Sequence, residues 1–358
     1  MLILACISAH GFGHGSRSAA VLAALADRHP DWRLVLSTAL PRPFLQLAMG
    51  AVPFEHRPCQ WDVGVKQADA LGSDPAATLN ALEALHRSLD TQIAQEAQWL
   101  QAQNEPIVVL GDVPPAAAAL AARLGAPLVW LASFGWEAIY APMGPAFAPW
   151  AERALAAYRQ GQLLIRCPLA MPIDWGLPEV AVGLTASQPR LQGGALERVR
   201  SRLRLPDERQ RCVLISFGGM GLDLAAAPLQ RWPQHVFIGP DQAMAAHPNG
   251  RVLPEGLRPL DLMPLCSRLI TKPGYSSFCE ALSQDLGIHL VARDGFAEAA
   301  VLQNDLKNHG WHRLLSREAF MAGAWQLDQP LLEPAIGPLP GGGAQQAAAA
   351  LEAVALGL

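Results

Sequence analysis

The chain has 358 residues, 51% of them apolar and 16% charged, with a formal net charge of −4. It is too long for one small core, since domains run ~100–200 residues, and too apolar for a disordered chain. With no basic tail and no Lys/Arg block, nucleic acid is not expected as a partner. In chain order, "LILACIS" (2–8) is apolar on both parities and predicts a buried parallel strand. The glycine-rich "SAHGFGHGSRS" (8–18) follows, and "SRSAAVLAALADRHP" (16–30) predicts a helix ended by Pro30. "WRLVLST" (32–38) and "PIVVLGD" (106–112) predict further strands. "PPAAAALAARLGAP" (114–127) predicts a helix with prolines at its start and Gly125 just past its end, before the strand "PLVWLAS" (127–133). This β-α-β-α series argues for a doubly wound parallel sheet.

The Pro/Gly-rich residues 168–195 read as a connector, after which the series restarts. "ALERVRSRLRL" (195–205) predicts a charged helix. "RCVLISFGG" (211–219), "QHVFIGP" (234–240), "SRLITKPG" (267–274) and "IHLVARDG" (288–295) predict strands. The expected organisation is α/β, with two Rossmann-like doubly wound domains at 1–167 and 196–340 facing across a cleft. A C-terminal helix within 341–358 is expected to pack back on the first.

The six cysteines are scattered with no CxxC pair, which predicts reduced, buried thiols in a cytoplasmic protein. "MLILAC" lacks the basic flank and the length of a signal peptide, and no apolar run of ~18 residues predicts a membrane span. Peripheral membrane contact and oligomeric state are left open.

Four stretches carry chemistry. In "HGFGHGSR" (10–17) the glycine spacing fails the dinucleotide fingerprint at Ser16, no GK[ST] follows, and two histidines lack a third metal ligand. What remains is His14 at a helix N-terminus, as a catalytic group or as a packed side chain; His10 is assigned to structure. Asp112 ends a strand before a proline-started helix and suits either an N-cap or the carboxylate that orients His14 as a general base. In "TKPGYSSFCEAL" (271–282), Lys272, Gly274, Ser276 and Ser277 surround a helix N-terminus fit for an anion, and Glu280 sits one turn on, placed for ribose hydroxyls. In "ARDGFAEAAVLQNDL" (292–306), Asp294, Glu298, Gln303 and Asn304 suit sugar hydroxyls or plain solvent. Trp136, Tyr140, Met143, Phe147 and Trp150 suit an apolar acceptor pocket, a bilayer surface or the core, with the core preferred.

Together "HGFGHGSR", "GDVPPAAAALAARLGAP", "ISFGGMG" and "KPGYSSFCEAL" resemble the nucleotide-sugar glycosyltransferases of the GT-B fold over roughly residues 1–320. "LASFGWEAIYAPM" and "LLIRCPLAMP" fit the same group. The nearest resemblance is to the glycosyltransferase-like N-terminal regions of L-arabinose kinases and their stand-alone bacterial cousins. More distantly the chain resembles the UDP-glycosyltransferases and the peptidoglycan N-acetylglucosaminyltransferase. The resemblance implies that Gly13-His14 carries the catalytic histidine and Asp112 its orienting partner. The plant "HCGWNSxxE" segment corresponds to "KPGYSSFCE", keeping Gly274, Ser277 and Glu280, with Lys272 in place of His and Ser276 in place of Asn. Gly218 and Gly219 of "SFGGMG" would bring backbone N–H groups to the phosphates, and Glu298 stands nearest to the family's sugar-reading acid. The implied reaction is inverting transfer from a nucleotide sugar, UDP-sugar foremost, to an unknown acceptor, without a metal or other cofactor. A nucleotide-sugar epimerase or hydrolase of the same fold, or a non-catalytic sensor, are the rivals.

Overall fold

The structure, a computed structural model, describes residues 1–66, 73–218, 227–292 and 296–358. The chain divides into two units, one of Met1–Thr185, Gly295–Val301 and Pro340–Leu358, the other of Ala186–Asp294 and Leu302–Leu339.

The first unit runs β1 (Leu2–Ile7), α1 (Phe12–Arg28), β2 (Arg33–Ser37), α2 (Arg42–Met49), β3 (Glu55–Arg57), α3 (Pro75–Gln101), β4 (Ile107–Asp112), α4 (Ala116–Leu124), β5 (Leu128–Ala132), α5 (Trp136–Tyr140), α6 (Ala148–Tyr158), β6 (Leu163–Arg166) and β7 (Glu179–Ala181). Its seven strands lie in the order β3-β2-β1-β4-β5-β6-β7, and all pairs are parallel. β1 is buried along its whole length, as a central strand covered on both faces must be. The order reverses between β1 and β4, which pair through Ile7 and Asp112 at their carboxyl ends. Doubly wound sheets keep their binding crevices at such a reversal.

The second unit contains α7 (Gly193–Leu203), β8 (Cys212–Ile215), β9 (Val236–Gly239), β10 (Gly250–Val252), α8 (Pro259–Leu262), β11 (Arg268–Thr271), α9 (Tyr275–Ser283), β12 (Gly287–Val291), α10 (Ala297–His309), β13 (His312–Leu315) and α11 (Arg317–Met321). Its parallel strands follow β10-β9-β8-β11-β12-β13, with the reversal between β8 and β11. The first turn of α10 counts with the first unit, as does the final helix α12 (Gly343–Leu356), which packs along α1.

Three features differ from the sequence reading. α1 begins at Phe12, so Gly13, His14 and Gly15 are helical, and only Gly11 takes a left-handed φ, of 93°. Gly15 serves packing: a Cβ there would sit 2.5 Å from the Phe44 ring of α2. Residues 168–185 fold with the first unit and supply its edge strand β7, and the unit division falls at Thr185, inside the stretch 168–195. α3 spans 27 residues and is capped by Asp74, whose carboxylate accepts from the Ala77 N–H at 2.9 Å. Leu82, Ile93, Ala97 and Leu100 form its buried stripe, a 3.6-residue period present in the sequence and unassigned above.

Trp136, Tyr140 and Phe147 are buried in the first core, with Met143 and Trp150 packed against it. The cysteines are free, and all except the half-buried Cys59 are buried. Among the described residues, no helix is long and apolar enough to cross a membrane.

Candidate functional site

The switch point of the first sheet holds a buried polar cluster built from α1, β4 and the end of β5. His14 occupies the first turn of α1 and is 8% exposed; Asp112 closes β4 and is 0% exposed. His14 Nδ1 lies 2.8 Å from Asp112 Oδ1. Asp112 also accepts from Arg17 Nε at 3.1 Å, from Arg17 Nη2, and from the Ser18 hydroxyl at 2.7 Å. Burial alone would raise the Asp112 carboxyl; the charge of Arg17, then His14 and the hydrogen bonds, outweigh it and hold the group at about 2.

An ionised Asp112 can only accept, and that fixes the imidazole tautomer. His14 Nδ1 also stands 3.2 Å from Arg17 Nη2. A bare Nδ1 would accept from that N–H, but would then face a carboxylate oxygen at 2.8 Å with no proton between them. The Nδ1–H tautomer resolves the conflict: Nδ1–H donates to Asp112, and the Nε2 lone pair is left to take a proton.

The residue that follows Asp112 is strained. Val113 holds φ at 66°, a left-handed value rare for a β-branched side chain. It is fully buried, and its carbonyl accepts from the Tyr158 hydroxyl at 2.7 Å. This bend turns the chain from β4 into Pro114-Pro115.

Beside Ser18, the cluster holds Arg17, Ser133 and Asp62, none of them singled out from the sequence. Arg17, 1% exposed, donates through Nη1 to Ser133 Oγ at 2.9 Å. Its signal was the three-residue spacing from His14 on one helix face, which has no meaning until α1 is known to start at Phe12. Ser133 follows β5 and donates to Glu298 Oε1 at 3.5 Å. Asp62 is buried, accepts from Trp136 Nε1 at 2.8 Å and bonds the Ser8 side chain; burial raises its carboxyl, and it feels the charges of His14 and Asp112. No local pattern marks Asp62. Glu298 lies in the first turn of α10, within the first unit, and is 6% exposed. His10 packs: its ring stacks on Phe296 at 5.8 Å, meets Trp136 edge-on, and its Nδ1 accepts from the Val65 N–H at 3.3 Å.

The switch point of the second sheet gathers the other predicted residues. Thr271 Oγ1 donates to Ser216 O at 2.6 Å, tying the end of β11 to that of β8. Lys272 and Pro273 then lead to Gly274, the N-cap of α9, where no side chain caps the helix. Ser276 is buried and Ser277 half-buried in its first turn. Gly274 has φ −158°, which any residue adopts, and an added Cβ would meet nothing closer than 3.8 Å. Neither backbone nor packing requires glycine there; its absent side chain leaves the helix N-terminus open. Glu280 is half-buried, and desolvation pushes its carboxyl up to about 7, with Arg258 drawing it down and Asp261 pushing it up. Gly218 follows β8, is exposed and takes φ 72°. Gly219 and Asp294 lie outside the described residues. Gln303 is half-buried and Asn304 exposed on α10. Among the described residues, no group of three or more His, Cys, Asp or Glu side chains is placed to hold a metal ion.

The same architecture recurs in solved structures. Arabidopsis thaliana UGT89C1 complexed with UDP-L-rhamnose superposes with a TM-score of 0.61 at 13% identity, over 92% of this chain and 91% of that one. A UDP-glucosyltransferase from Polygonum tinctorium capable of glucosylating indoxyl gives 0.59 at 16% identity, over 99% and 93%. The fold is that of the GT-B UDP-glycosyltransferases. The spinosyn forosaminyltransferase SpnP agrees, with a TM-score of 0.56 at 15% identity over 99% of both chains. In sequence, the chain is 27% identical over 369 aligned positions to an L-arabinokinase of Arabidopsis thaliana, covering 98% of this chain. It spans about a third, 34%, of the length of that relative. No protein-family model matches the chain.

Proposed function

We propose that the chain is an inverting glycosyltransferase, acting in the cytoplasm, that moves a sugar from a nucleotide-diphosphate donor, UDP-sugar foremost, to an acceptor hydroxyl. One observation carries this reading: His14 Nδ1 lies 2.8 Å from the buried Asp112 carboxylate, whose group is held at about 2, an arrangement that supports Nε2 as the base. In this reading His14 Nε2 takes the acceptor proton as the acceptor oxygen bonds the anomeric carbon. The anomeric C–O bond to the diphosphate breaks, and its electron pair leaves with the diphosphate. The open N-terminus of α9, Lys272 and the amides near Gly218 and Gly219 stabilise that charge, and Glu280 takes the ribose hydroxyls. Glu298 is assigned to the sugar. No metal or other cofactor enters this scheme. The GT-B neighbours named for UDP-sugars support the donor class.

Calorimetry with UDP, GDP, ADP and TDP tests the donor, and binding of none would remove the reading altogether. Where the nucleotide binds, His14→Ala is expected to lower transfer by about 10³-fold or more while nucleotide affinity stays within twofold. Equal loss of both would make the first turn of α1 purely structural. Binding without turnover on any acceptor would make the chain a nucleotide-sugar sensor, a reading that draws on the kinase name of its Arabidopsis relative.

A further inference from the structure

We propose that Arg17 is a positioning residue for His14: its guanidinium locks the Asp112 carboxylate in place and sets the basicity of the imidazole. This rests on the reading of His14 as a base. Arg17 lies one turn beyond His14 on α1 and donates to Asp112 through Nε and Nη2 and to Ser133 through Nη1. Both carboxylate oxygens are thereby held, and the one facing His14 cannot rotate away. The same guanidinium stands 3.2 Å from His14 Nδ1.

The electrostatic consequence follows from three charges in one dry site. A buried carboxylate beside a histidine stabilises the imidazolium. A histidine already protonated cannot act as a base. The fixed cation of Arg17 opposes the pull of Asp112 on a proton, because an imidazolium would be a second cation against the same carboxylate. Among the described residues, the Asp62 carboxyl from the segment after β3 and, beyond Ser133, the Glu298 carboxyl from α10 also face this spot. Phe134 supplies an aromatic edge 5.7 Å from the imidazole centroid. Arg17 is the cation hydrogen-bonded to Asp112. A purely structural role, stapling α1 to β4, would leave the titration of His14 untouched.

The experiment is a pH titration of 15N-histidine-labelled protein by NMR, with His14 assigned through His14→Gln. The wild type is expected to show the Nδ1–H tautomer. Arg17→Gln, which keeps a donor but loses the charge, is expected to raise the His14 midpoint by about one pH unit, a tenfold gain in proton affinity. Arg17→Lys, which keeps the charge, is expected to restore the midpoint to within a few tenths of a unit. Should Arg17→Gln fail to fold, Ser133→Ala loosens the guanidinium and is expected to shift the midpoint in the same direction by less. An unmoved or lowered midpoint in the folded variant overturns the proposal. The titration needs no turnover, so it is decided whether or not the chain transfers sugar. A shifted midpoint in a protein without transfer would count against the function proposed above and leave the role of Arg17 standing.

Discussion

Asp112 is the residue on which the first site turns. Four donors converge on a carboxylate with no exposure, and Arg17 and His14 hold it at about 2. That value lies below the ~3.9 of an unfolded Asp, so the carboxylate stabilises the fold above pH ~4 and loses that contribution as pH falls through about 2. Asp112→Asn removes it and breaks the buried ion pair with Arg17, a loss of about 3–5 kcal/mol at neutral pH. Its amide N–H₂ would also invite the opposite imidazole tautomer, with Nε2 protonated. We expect transfer to fall by about 10³-fold or more, and the stability gap between the two proteins to narrow towards pH 2. Acid melting curves that stay parallel would refute the charge argument. His14 and Asp112 were legible because each stands where a predicted strand meets a predicted helix. Arg17 stood in the same motif, but its partnership depends on a helix start four residues earlier than the apolar pattern suggests. Asp62 reaches the site through tertiary packing alone, which no local pattern records.

At the scale of elements, the two switch points use helix N-termini in different ways. The start of α1 carries the proposed base His14 and, one turn on, its proposed positioning cation Arg17, with Gly15 between them pressed against Phe44. The first turn of α9 carries small polar side chains behind Gly274 and has no capping side chain. Since neither φ nor crowding asks for glycine at 274, Gly274→Ala is expected to cost no more than the N-cap preference of about 1 kcal/mol. It is also expected to weaken nucleoside diphosphate binding by tenfold or more, because the methyl group would stand over the proposed anion seat. A variant that unfolds, or one that binds as tightly as the wild type, would show that the glycine answers to something other than a ligand. The α9 motif was legible from turn chemistry: a strand, Pro-Gly, then two serines. α3 was legible in principle from its apolar stripe. The three-residue strands β3, β7 and β10 were not, since so short a run shows no period.

At the scale of the whole molecule, alternating buried strands and Ala-rich helices announced two doubly wound sheets. Their equivalent strand orders put both candidate sites at topological reversals. The chain's return to its first unit rests on contacts far apart in sequence. α12 buries Ala344, Ala347, Ala348 and Leu351, and its Glu352 bonds Arg28 and His29 at the far end of the helix that carries His14. The entry to α12 is a close backbone crossing. Leu184 N–H donates to Pro340 O at 2.8 Å and Gly343 N–H to Leu184 O at 3.1 Å, and a Cβ on Gly343 would fall 1.9 Å from Gly183 O. A backbone carbonyl cannot swing aside as a side chain can, so Gly343→Ala must push α12 off its seat. We expect a loss of about 1–3 kcal/mol, read as a lower melting temperature. Hydrogen exchange should then show weaker protection in α1 and α12, with the β8–β11 pairing unchanged. Gly341→Ala, two residues earlier, meets nothing within 4 Å and has an ordinary φ, so it should melt with the wild type. If both variants melt alike, or if protection falls equally in both units, the crossing at Gly343 is not what holds α12 to α1.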